Sequence, residues 1–546
     1  MPVDPAGITV GLGGILLAFK GVVDTVNLFD LIIANDNGSK HLALRYYVER
    51  HKTTIWGDEF RPDNELDSPL LGESDATRRL IAGVLTEMLA THQLAEKFLQ
   101  RFAMVDFAQL AKADQNNGIG IESAFVKKVK ELRDSHGQKN RFLWGIKDKQ
   151  KFTEIVDRMG SLNADLRNLV HGQNMRSLAA AISSSLLPQI KDSLYLIALQ
   201  QTESIDPLLK LSARLKELQT ASDQHAGPKA PILKLNSVFK ADPDQLTIKK
   251  STGMFLHGNS QEQRAWVEWV PLPQEQSWEH KELVLSRVES LSVMLSAAKD
   301  PEFRIPPCLA LVEDTDHLEN WWRKLGFVFA APANQVIPST GPTTLTDFIA
   351  ATKPCPPLLN ERFELAYKLA SAVSLIHAAK WIHKGIRSEN ICFFNNAEGA
   401  IDARNPWISG FDYSRPESQT SLRDRVKNIP AIDIYYHPDV PFKGFDRSRD
   451  IYSLGVVLLE IAIWSPLQSV IERSTEKELG AMTMSEYKAF FLESLPMVGS
   501  LSGASYRDAV RACLTGDVGQ ADRQDDGDVG RAFLTKVLQR LSYCRA

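Results

Sequence analysis

The spacing of apolar residues divides the chain into two parts. Before about residue 220, apolar residues recur at three- and four-residue steps, as at Leu80, Val84 and Met88. This spacing is typical of amphipathic helices, and strand signals are scarce there. The predicted helical segments are residues 40–52, 76–102, 120–134, 150–171 and 175–220. This part therefore predicts an all-α helical bundle.

From residue 232 the pattern changes to short β-prone runs, followed by long amphipathic segments. Strands are predicted at 265–270, 310–314 and 326–331, and helices at 281–298, 343–351 and 365–379. Between the two parts, residues 221–231 are polar and contain Gly227, Pro228 and Pro231, as is typical of a linker. We therefore expect a helical domain at 1–220, a linker at 221–231 and an α+β domain at 232–546.

Composition narrows the functional classes. The 546 residues are 44% hydrophobic and carry a net charge of −4, which favours a globular protein without a general attraction to nucleic acid. The five cysteines are scattered and include no CxxC pair, so we expect reduced thiols, no disulfide framework and no metal site. The start has no basic n-region, and no apolar run reaches about 18 residues, so neither a leader nor a permanent membrane span is expected.

The first apolar segment, residues 8–33, is apolar nearly all round at its start. A helix of this kind is either buried in a bundle or faces lipid, and both alternatives hold if the helix moves. Gly7 and Gly11 have the four-residue spacing that allows close helix contact in membranes. The candidate membrane-active residues are Ile8, Leu12, Ile15, Leu16, Phe19, Val22 and Val23.

Residues 127–151 form a strongly basic segment. Basic side chains near a membrane surface are attracted to anionic headgroups by about 1 kcal/mol each, although a solvated helix face has the same composition. The candidate headgroup contacts are Lys127, Lys128, Lys130, Lys147, Lys149 and Lys151.

Two motifs in the helical part suggest a family. Trp56-Gly57-Asp58 follows a Tyr-rich segment, and Trp144 precedes Asp148 and Phe152 in a basic stretch. Together with the Gly-rich apolar start, they resemble the HeLo domain of fungal prion-inhibition and propagation proteins over about residues 5–215. The resemblance implies release of the N-terminal helix, self-association and membrane permeabilisation in fungal programmed cell death and allorecognition.

The stretch at 365–463 resembles the C-terminal lobe of a protein kinase. His383 and Asn390 have the spacing of the catalytic loop, Gly410-Phe411-Asp412 stands where Asp-Phe-Gly is expected, and Asp450 opens an apolar helix. The resemblance implies a two-lobed kinase-like fold, with an N-lobe at 232–335 and a C-lobe at 336–546.

The residues that carry phosphoryl transfer are missing from this kinase-like frame. Gly385 replaces the catalytic Asp and Gly410 the metal-binding Asp, no Gly-rich loop is intact, and Val270 is our assignment for the position of the strand lysine. Glycine can neither orient a hydroxyl nor hold magnesium, so we expect a pseudokinase with no catalytic residues and no cofactor.

Other residues of the frame have expected roles that do not need catalysis. His383 resembles the structural histidine of the kinase core, Asn390 is expected to hydrogen-bond the loop backbone, and Asp450 is expected to brace the loop. Arg387 replaces the usual loop lysine and can still bind an anion.

Three functions remain open from the sequence. The first is a cell-death effector or regulator that is cytoplasmic at rest and membrane-associated when activated. It would self-associate through the bundle and respond to an unidentified protein trigger. The second is a weakly active kinase that binds ATP and Mg²⁺ and uses Asp412. The third is a soluble adaptor that binds only other proteins.

Overall fold

The computed structural model describes most of the chain. The described ranges are 37–60, 70, 74–103, 146–169, 175–190, 193–202, 205–223, 227–242, 250–256, 262–274, 277–316, 321–411, 414–416, 429–475, 478–518 and 526–545. The chain forms two compact units, Met1–Ile182 with Ala198–Asp206, and Ser183–Ile197 with Pro207–Ala546. Each unit is described by itself below.

The described part of the first unit is helical. Its helices are α1 (Asn37–Phe60), α2 (Asp75–Ala103), α3 (Ile146–Asn168) and the start of α4 (Met175–Leu186). Helix α5 (Ser193–Gln201) begins in the second unit and ends in the first. Helices α1 and α2 both pack against α3.

Large apolar residues of α1, α2 and α3 form one core. Trp56 and Phe60 of α1 pack with Ile81 and Leu85 of α2 and with Met159 of α3, and all are at least nine-tenths buried. Such burial stabilises a helical bundle more than helix propensity does. Trp56, the centre of the first sequence motif, is therefore a core residue.

A polar network also joins α1 to α3. The buried Asn163 side chain donates to the Glu49 carbonyl oxygen at 2.9 Å and accepts from the Thr53 hydroxyl at 2.9 Å. Near the start of α3, Phe152 lies 6.2 Å from the ring of Tyr46. The network satisfies polar groups that would be costly to bury alone, and it fixes the register of the two helices.

The second unit begins with helical segments and continues with a six-stranded mixed sheet. Helix α6 (Pro207–Asp223) precedes β1 (Ile232–Lys234), the short α7 (Leu235–Val238) and β2 (Phe239–Ala241). The other strands are β3 (Lys250–Phe255), β4 (Gln263–Pro273), β5 (Cys308–Asp314) and β6 (Trp321–Ala330), and α8 (Trp278–Ala297) connects β4 to β5. The order in the sheet is β1-β5-β6-β4-β3-β2. The pairing of β1 with β5 is parallel, and the other pairings between the described strands of this sheet are antiparallel.

The rest of the second unit is mainly helical with short strand pairs. Its elements are β7 (Thr343–Thr344), α9 (Leu345–Thr352), α10 (Leu359–Ala378), β8 (Trp381–Ile382), β9 (Ile391–Phe393), β10 (Trp407–Ile408), β11 (Arg415–Pro416), α11 (Pro430–Asp433), α12 (Val440–Lys443), α13 (Arg447–Ile463), α14 (Leu467–Thr475), α15 (Met484–Glu493), α16 (Leu495–Thr515), α17 (Asp526–Phe533), a π-helical segment (Leu534–Leu538) and α18 (Gln539–Ser542).

Helix α13 is the central helix of this part and packs closely against α16. A Cβ atom added at Gly455 would lie 2.6 Å from Cys513 Cβ, so only glycine allows the observed approach of the two helices. Among the described residues, no single helix is long and apolar enough to cross a membrane. Helices α13 and α14, which are bent by 78° relative to each other, are together long and apolar enough for a membrane span. Helix α13 is buried along nearly its whole length.

The predicted helical character of the N-terminal region is confirmed. The predicted segment 175–220 is divided into α4, α5 and α6, because Pro188 lies in a short 3-10 turn (Leu187–Gln189) after α4 and Pro207 starts a new helix. The predicted segment 120–134 lies outside the described residues. Helix α6, which the prediction assigns to the first domain, packs within the second unit. The proposed domain boundaries stay a prediction.

Candidate functional site

The candidate site lies within the second unit, where the sheet faces the loop between β8 and β9. Side chains alternate along β4, so Ala265, Val267 and Trp269 join one apolar cluster. Trp266 and Glu268 point to the opposite face. The loop side is formed by Asn390, at the end of a 3-10 turn, and by Gly410, two residues after β10.

Glu268 is a buried carboxylate that links the sheet to this loop. One carboxylate oxygen accepts from the backbone N–H of Gly410 at 2.8 Å, and the other accepts from the Trp266 indole N–H at 3.1 Å. Lys250, its register partner on β3, places its ammonium nitrogen 3.3 Å from the second oxygen. The same ammonium also lies 3.4 Å from the Ser409 hydroxyl.

These contacts decide the charge of the pair. Burial by itself raises the pKa of the Glu268 carboxyl, but Lys250 and the donors from Gly410 and Trp266 outweigh it, so the pKa is lowered. Burial favours the neutral form of Lys250, yet the carboxylate of Glu268 raises its pKa overall. At neutral pH the two side chains therefore form a charged pair, of which Glu268 is the more deeply buried partner.

Both the backbone conformation of Gly410 and the atoms around it exclude a side chain at this position. Its φ is +79°, a left-handed backbone that L-residues rarely adopt. A Cβ atom there would lie 2.2 Å from the Cγ and Nδ2 atoms of Asn390. The Asn390 amide thus fills the volume that a side chain at position 410 would need.

The loop itself is held by hydrogen bonds among the predicted residues. Asn390 Nδ2 donates to the Gly385 carbonyl oxygen at 2.8 Å, and the Asn390 carbonyl accepts from the Ser409 N–H at 2.7 Å. A Cβ atom at Gly385 would lie 3.1 Å from both Asn390 Nδ2 and the Gly410 carbonyl oxygen, which is tighter than an ordinary contact. The two glycines and Asn390 are therefore packed directly together.

His383 is buried beside Phe411, with ring centroids 4.5 Å apart. Its Nδ1 accepts from the Gly385 N–H at 3.1 Å, which requires an unprotonated Nδ1. Burial lowers the pKa of His383 to about 4. The imidazole is therefore neutral at physiological pH and serves as a hydrogen-bond acceptor for the loop.

Asp450, on the first turn of α13, is fully buried and receives several donors. Its oxygens accept from the backbone N–H groups of His383 at 2.7 Å and Lys384 at 2.8 Å. The Nε2 atom of His377 lies 3.2 Å away. Burial by itself raises the pKa of this carboxyl, but these partners lower it overall. The geometry is that of a carboxylate that fixes the loop backbone.

Aromatic side chains fill the space beside Glu268. The ring of Trp266, fully buried, lies 5.3 Å from Phe329 of β6 and 5.5 Å from Phe394, which follows β9. Phe394 in turn lies 6.5 Å from Trp407 of β10. A continuous set of rings therefore runs from the sheet to the β9–β10 hairpin.

The structure brings His383, Gly385, Asn390, Gly410 and Asp450 together in one site. Two further predicted residues, Arg387 and Val270, do not contact this group in the same way. Arg387 is buried in the same loop, with its Nε atom 3.4 Å from a carboxylate oxygen of Glu389. Val270 is buried on β4, and Glu268, two residues earlier on the same face, is the residue that reaches Gly410.

Sequence reasoning missed Glu268, Lys250 and Trp266. The sequence did contain a signal for Glu268, which is a carboxylate within an otherwise apolar predicted strand. Such a residue is rarely buried without a partner.

Other predicted residues fall in segments that are not described. The membrane-active segment at residues 8–33, together with Lys127, Lys128 and Lys130, lies outside the described residues, as does Asp412. Lys147 and Lys149 lie on α3, but their side chains are not described, whereas Lys151 on α3 is exposed. Within the described ranges, no group of three or more His, Cys, Asp or Glu residues could hold a metal ion.

Two families match this chain. Residues 7–208 match the HeLo family, described as prion-inhibition and propagation. Residues 330–542 match a domain of unknown function, DUF7580. The N-terminal region therefore contains a HeLo domain, and the resemblance inferred from the Trp56 and Trp144 motifs is confirmed.

Several curated protein kinases are similar to part of the C-terminal region. A serine/threonine-protein kinase-like protein of Arabidopsis thaliana is 34% identical over 113 residues, which are 20% of this chain and 30% of the relative. A G-type lectin S-receptor-like serine/threonine-protein kinase of the same plant is 30% identical over 107 residues, 19% of this chain and 12% of the relative. A probable serine/threonine-protein kinase of Dictyostelium discoideum is 26% identical over 116 residues, 21% of this chain and 19% of the relative. The chain thus spans less than a third of the length of these relatives, and the similarity to kinases is partial.

Proposed function

We propose that this protein is a membrane-targeting cell-death effector or regulator, whose C-terminal unit is a kinase-like domain without phosphotransfer activity. The HeLo match supports the first half, because HeLo proteins are associated with self-assembly and action at membranes. The partial similarity to kinases and the order of loop and helices around Asp450 support the kinase-like half.

One observation carries the proposed loss of catalysis. At the position that the kinase resemblance assigns to the metal-binding aspartate, Gly410 lies against Asn390 so closely that no Cβ atom fits. Phosphoryl transfer depends on a carboxylate there to hold magnesium against the phosphates. The position that faces it on β4 holds the carboxylate of Glu268, whereas a kinase has a lysine that contacts the phosphates.

The aromatic residues add a second argument. In a kinase, the nucleotide lies between the sheet and the catalytic loop. Here Trp266 of the sheet packs directly against Phe394 below it, so these side chains occupy space between the two layers. The kinase-like unit is therefore proposed to act through its shape and contacts.

Thermal denaturation of the full chain with and without Mg²⁺-ATP tests the proposed lack of phosphotransfer activity. A ligand at about 100 times its Kd stabilises the folded state by about 2.7 kcal/mol. We expect no increase in Tm with Mg²⁺-ATP, and no transfer of labelled phosphate to the chain or to a generic protein substrate. A Tm increase that requires Mg²⁺, together with phosphate transfer, would refute the proposal and favour the weakly active kinase.

Expression in fungal cells tests the proposed action of the N-terminal region at membranes. We expect the full chain to reduce viability when activated by overexpression, and removal of residues 1–30 to abolish this effect. Leu16→Glu introduces a charge into the apolar segment and should have the same effect as the deletion, because a charge in a membrane-inserting helix is costly. Asp24→Glu keeps the charge at a polar position of that segment and serves as the matched control. Toxicity that survives both the deletion and Leu16→Glu would favour the adaptor alternative.

A further inference from the structure

Three arginines surround one carboxylate on the surface formed by α16 and α18. Arg507 and Arg511 lie on α16, Arg540 lies on α18, and all three contact Asp508. We call these four residues the arginine cluster. None of them contributes to the candidate site described above.

The arginines are not fully satisfied by their shared partner. Arg507 Nη2 lies 2.9 Å from Asp508 Oδ1, but the nearest contacts of Arg511 and Arg540 with this carboxylate are both 3.4 Å. Strong charge-assisted hydrogen bonds between guanidinium and carboxylate are about 2.7–2.9 Å long. Arg511 and Arg540 therefore keep donors for a further acceptor.

The charge of the cluster is unbalanced and accessible. Within the described part of the chain, these three positive guanidinium groups share one negative carboxylate, that of Asp508. The side chains of Arg507, Arg511 and Arg540 are 32%, 47% and 40% exposed, so an external group can reach them. The Arg507 side chain also passes close to Gly499, where an added Cβ would lie 3.1 Å from Arg507 Cδ.

The arrangement selects the kind of anion. All three guanidinium groups contact the same Asp508 carboxylate, so they are close enough together to contact one compact anion, which suits such an anion better than an extended lipid surface. Guanidinium groups bind phosphate oxygens through paired N–H donors. We propose that the arginine cluster docks a phosphorylated segment of a partner protein through its phosphate monoester. This site is independent of the proposed function.

Fluorescence anisotropy with the full chain tests the proposal. The probes are a labelled Gly-Gly-phosphoserine-Gly-Gly peptide and its unphosphorylated counterpart. We expect binding of the phosphorylated peptide only, with inorganic phosphate as a competitor. Arg511→Gln and Arg540→Gln should each weaken binding by about tenfold, the loss of one charge-assisted interaction.

Two further variants distinguish binding from a structural role. Asp508→Asn removes the competing carboxylate and should tighten binding of the phosphorylated peptide, whereas a merely structural cluster would gain nothing. Arg404→Gln is the matched control, since it removes a half-exposed arginine that is paired with Asp402 at 2.9 Å elsewhere in the same unit. It should leave affinity unchanged.

Several results would overturn the proposal. Equal affinity for both peptides, or equal affinity of wild type and both arginine variants with unchanged Tm, would show that the cluster does not read phosphate. Weaker binding by Asp508→Asn would contradict the competition argument. Binding of phosphatidylserine-containing but not phosphatidylcholine vesicles through the same arginines, without peptide binding, would exclude a protein partner.

Discussion

Replacing Gly410 with alanine tests the packing of the candidate site most directly. Two costs are expected at this position. A left-handed conformation costs an L-residue about 1–2 kcal/mol, and Gly410 has φ +79°. The added Cβ would also lie 2.2 Å from Asn390, and forcing extra atoms into a packed core typically costs about 1–3 kcal/mol.

The chain offers a control that separates these two costs. Gly399 has φ +82°, almost the same as Gly410, but nothing lies within 4 Å of a Cβ added there. Gly399→Ala should therefore show only the conformational cost of about 1–2 kcal/mol. Gly410→Ala should cost about 2–5 kcal/mol in total, because the steric contribution is added.

Urea denaturation of the full chain, followed by tryptophan fluorescence, measures both effects. Adding Asn390→Ala to Gly410→Ala should recover part of the loss, since the clashing amide is removed, although its hydrogen bond to Gly385 is lost as well. If Gly410→Ala is no more destabilising than Gly399→Ala, the steric reasoning is wrong. The argument that no aspartate fits at position 410 would then fail too.

Three further changes test other parts of the second unit. Glu268→Gln removes the carboxylate that faces the Lys250 ammonium and should lower the free energy of unfolding by about 1–3 kcal/mol, because breaking a buried pair from one side is costly. Adding Lys250→Met should restore part of this loss, and strict additivity of the two changes would contradict a coupled pair. Gly455→Leu should destabilise the chain by about 3 kcal/mol or abolish expression, since a Cβ atom at position 455 would lie 2.6 Å from a cysteine side chain of α16. Near-wild-type stability would show that α13 and α16 can separate. Burial lowers the pKa of His383 to about 4. Between about pH 6.5 and 4 this histidine is therefore protonated in the unfolded chain but mostly neutral in the folded chain. The free energy of unfolding should fall by up to about 3 kcal/mol as the pH drops through this range. His383→Gln should make the urea midpoint depend less on pH in this range. An unchanged dependence would assign it to other groups, such as the half-buried His437, whose pKa is also lowered to about 4 by burial.

The loop part of the candidate site could be predicted because its information is local. His383, Gly385 and Asn390 lie within one short loop, and the resemblance to the kinase catalytic loop identified them by their spacing. The helices were predictable for a similar reason, since their apolar periodicity lies within a continuous segment. Both kinds of prediction depend on neighbours along the chain.

The sheet part could not be predicted in the same way. Trp266, Glu268 and Val270 alternate with apolar residues of the other face, so they are equivalent by strand periodicity. A shift of two residues leaves that pattern unchanged, although a shift of one would reverse it. The assignment of Val270 to the lysine position therefore could not be tested by alternation. Lys250 adds a second difficulty, because its pairing with Glu268 requires the register of two strands.

The buried contacts at the site connect the sheet of the second unit directly to the loop. The Glu268 carboxylate joins β4 to the backbone of Gly410, and Trp266 joins the same strand to Phe394. If the proposed kinase resemblance holds, these are the layers between which an active kinase places nucleotide and magnesium. Here side chains of the protein make the link, and the negative charge comes from the strand while the loop supplies an N–H group. Under the proposed function, these direct contacts between the sheet and the loop suit a unit that presents a fixed surface to partners.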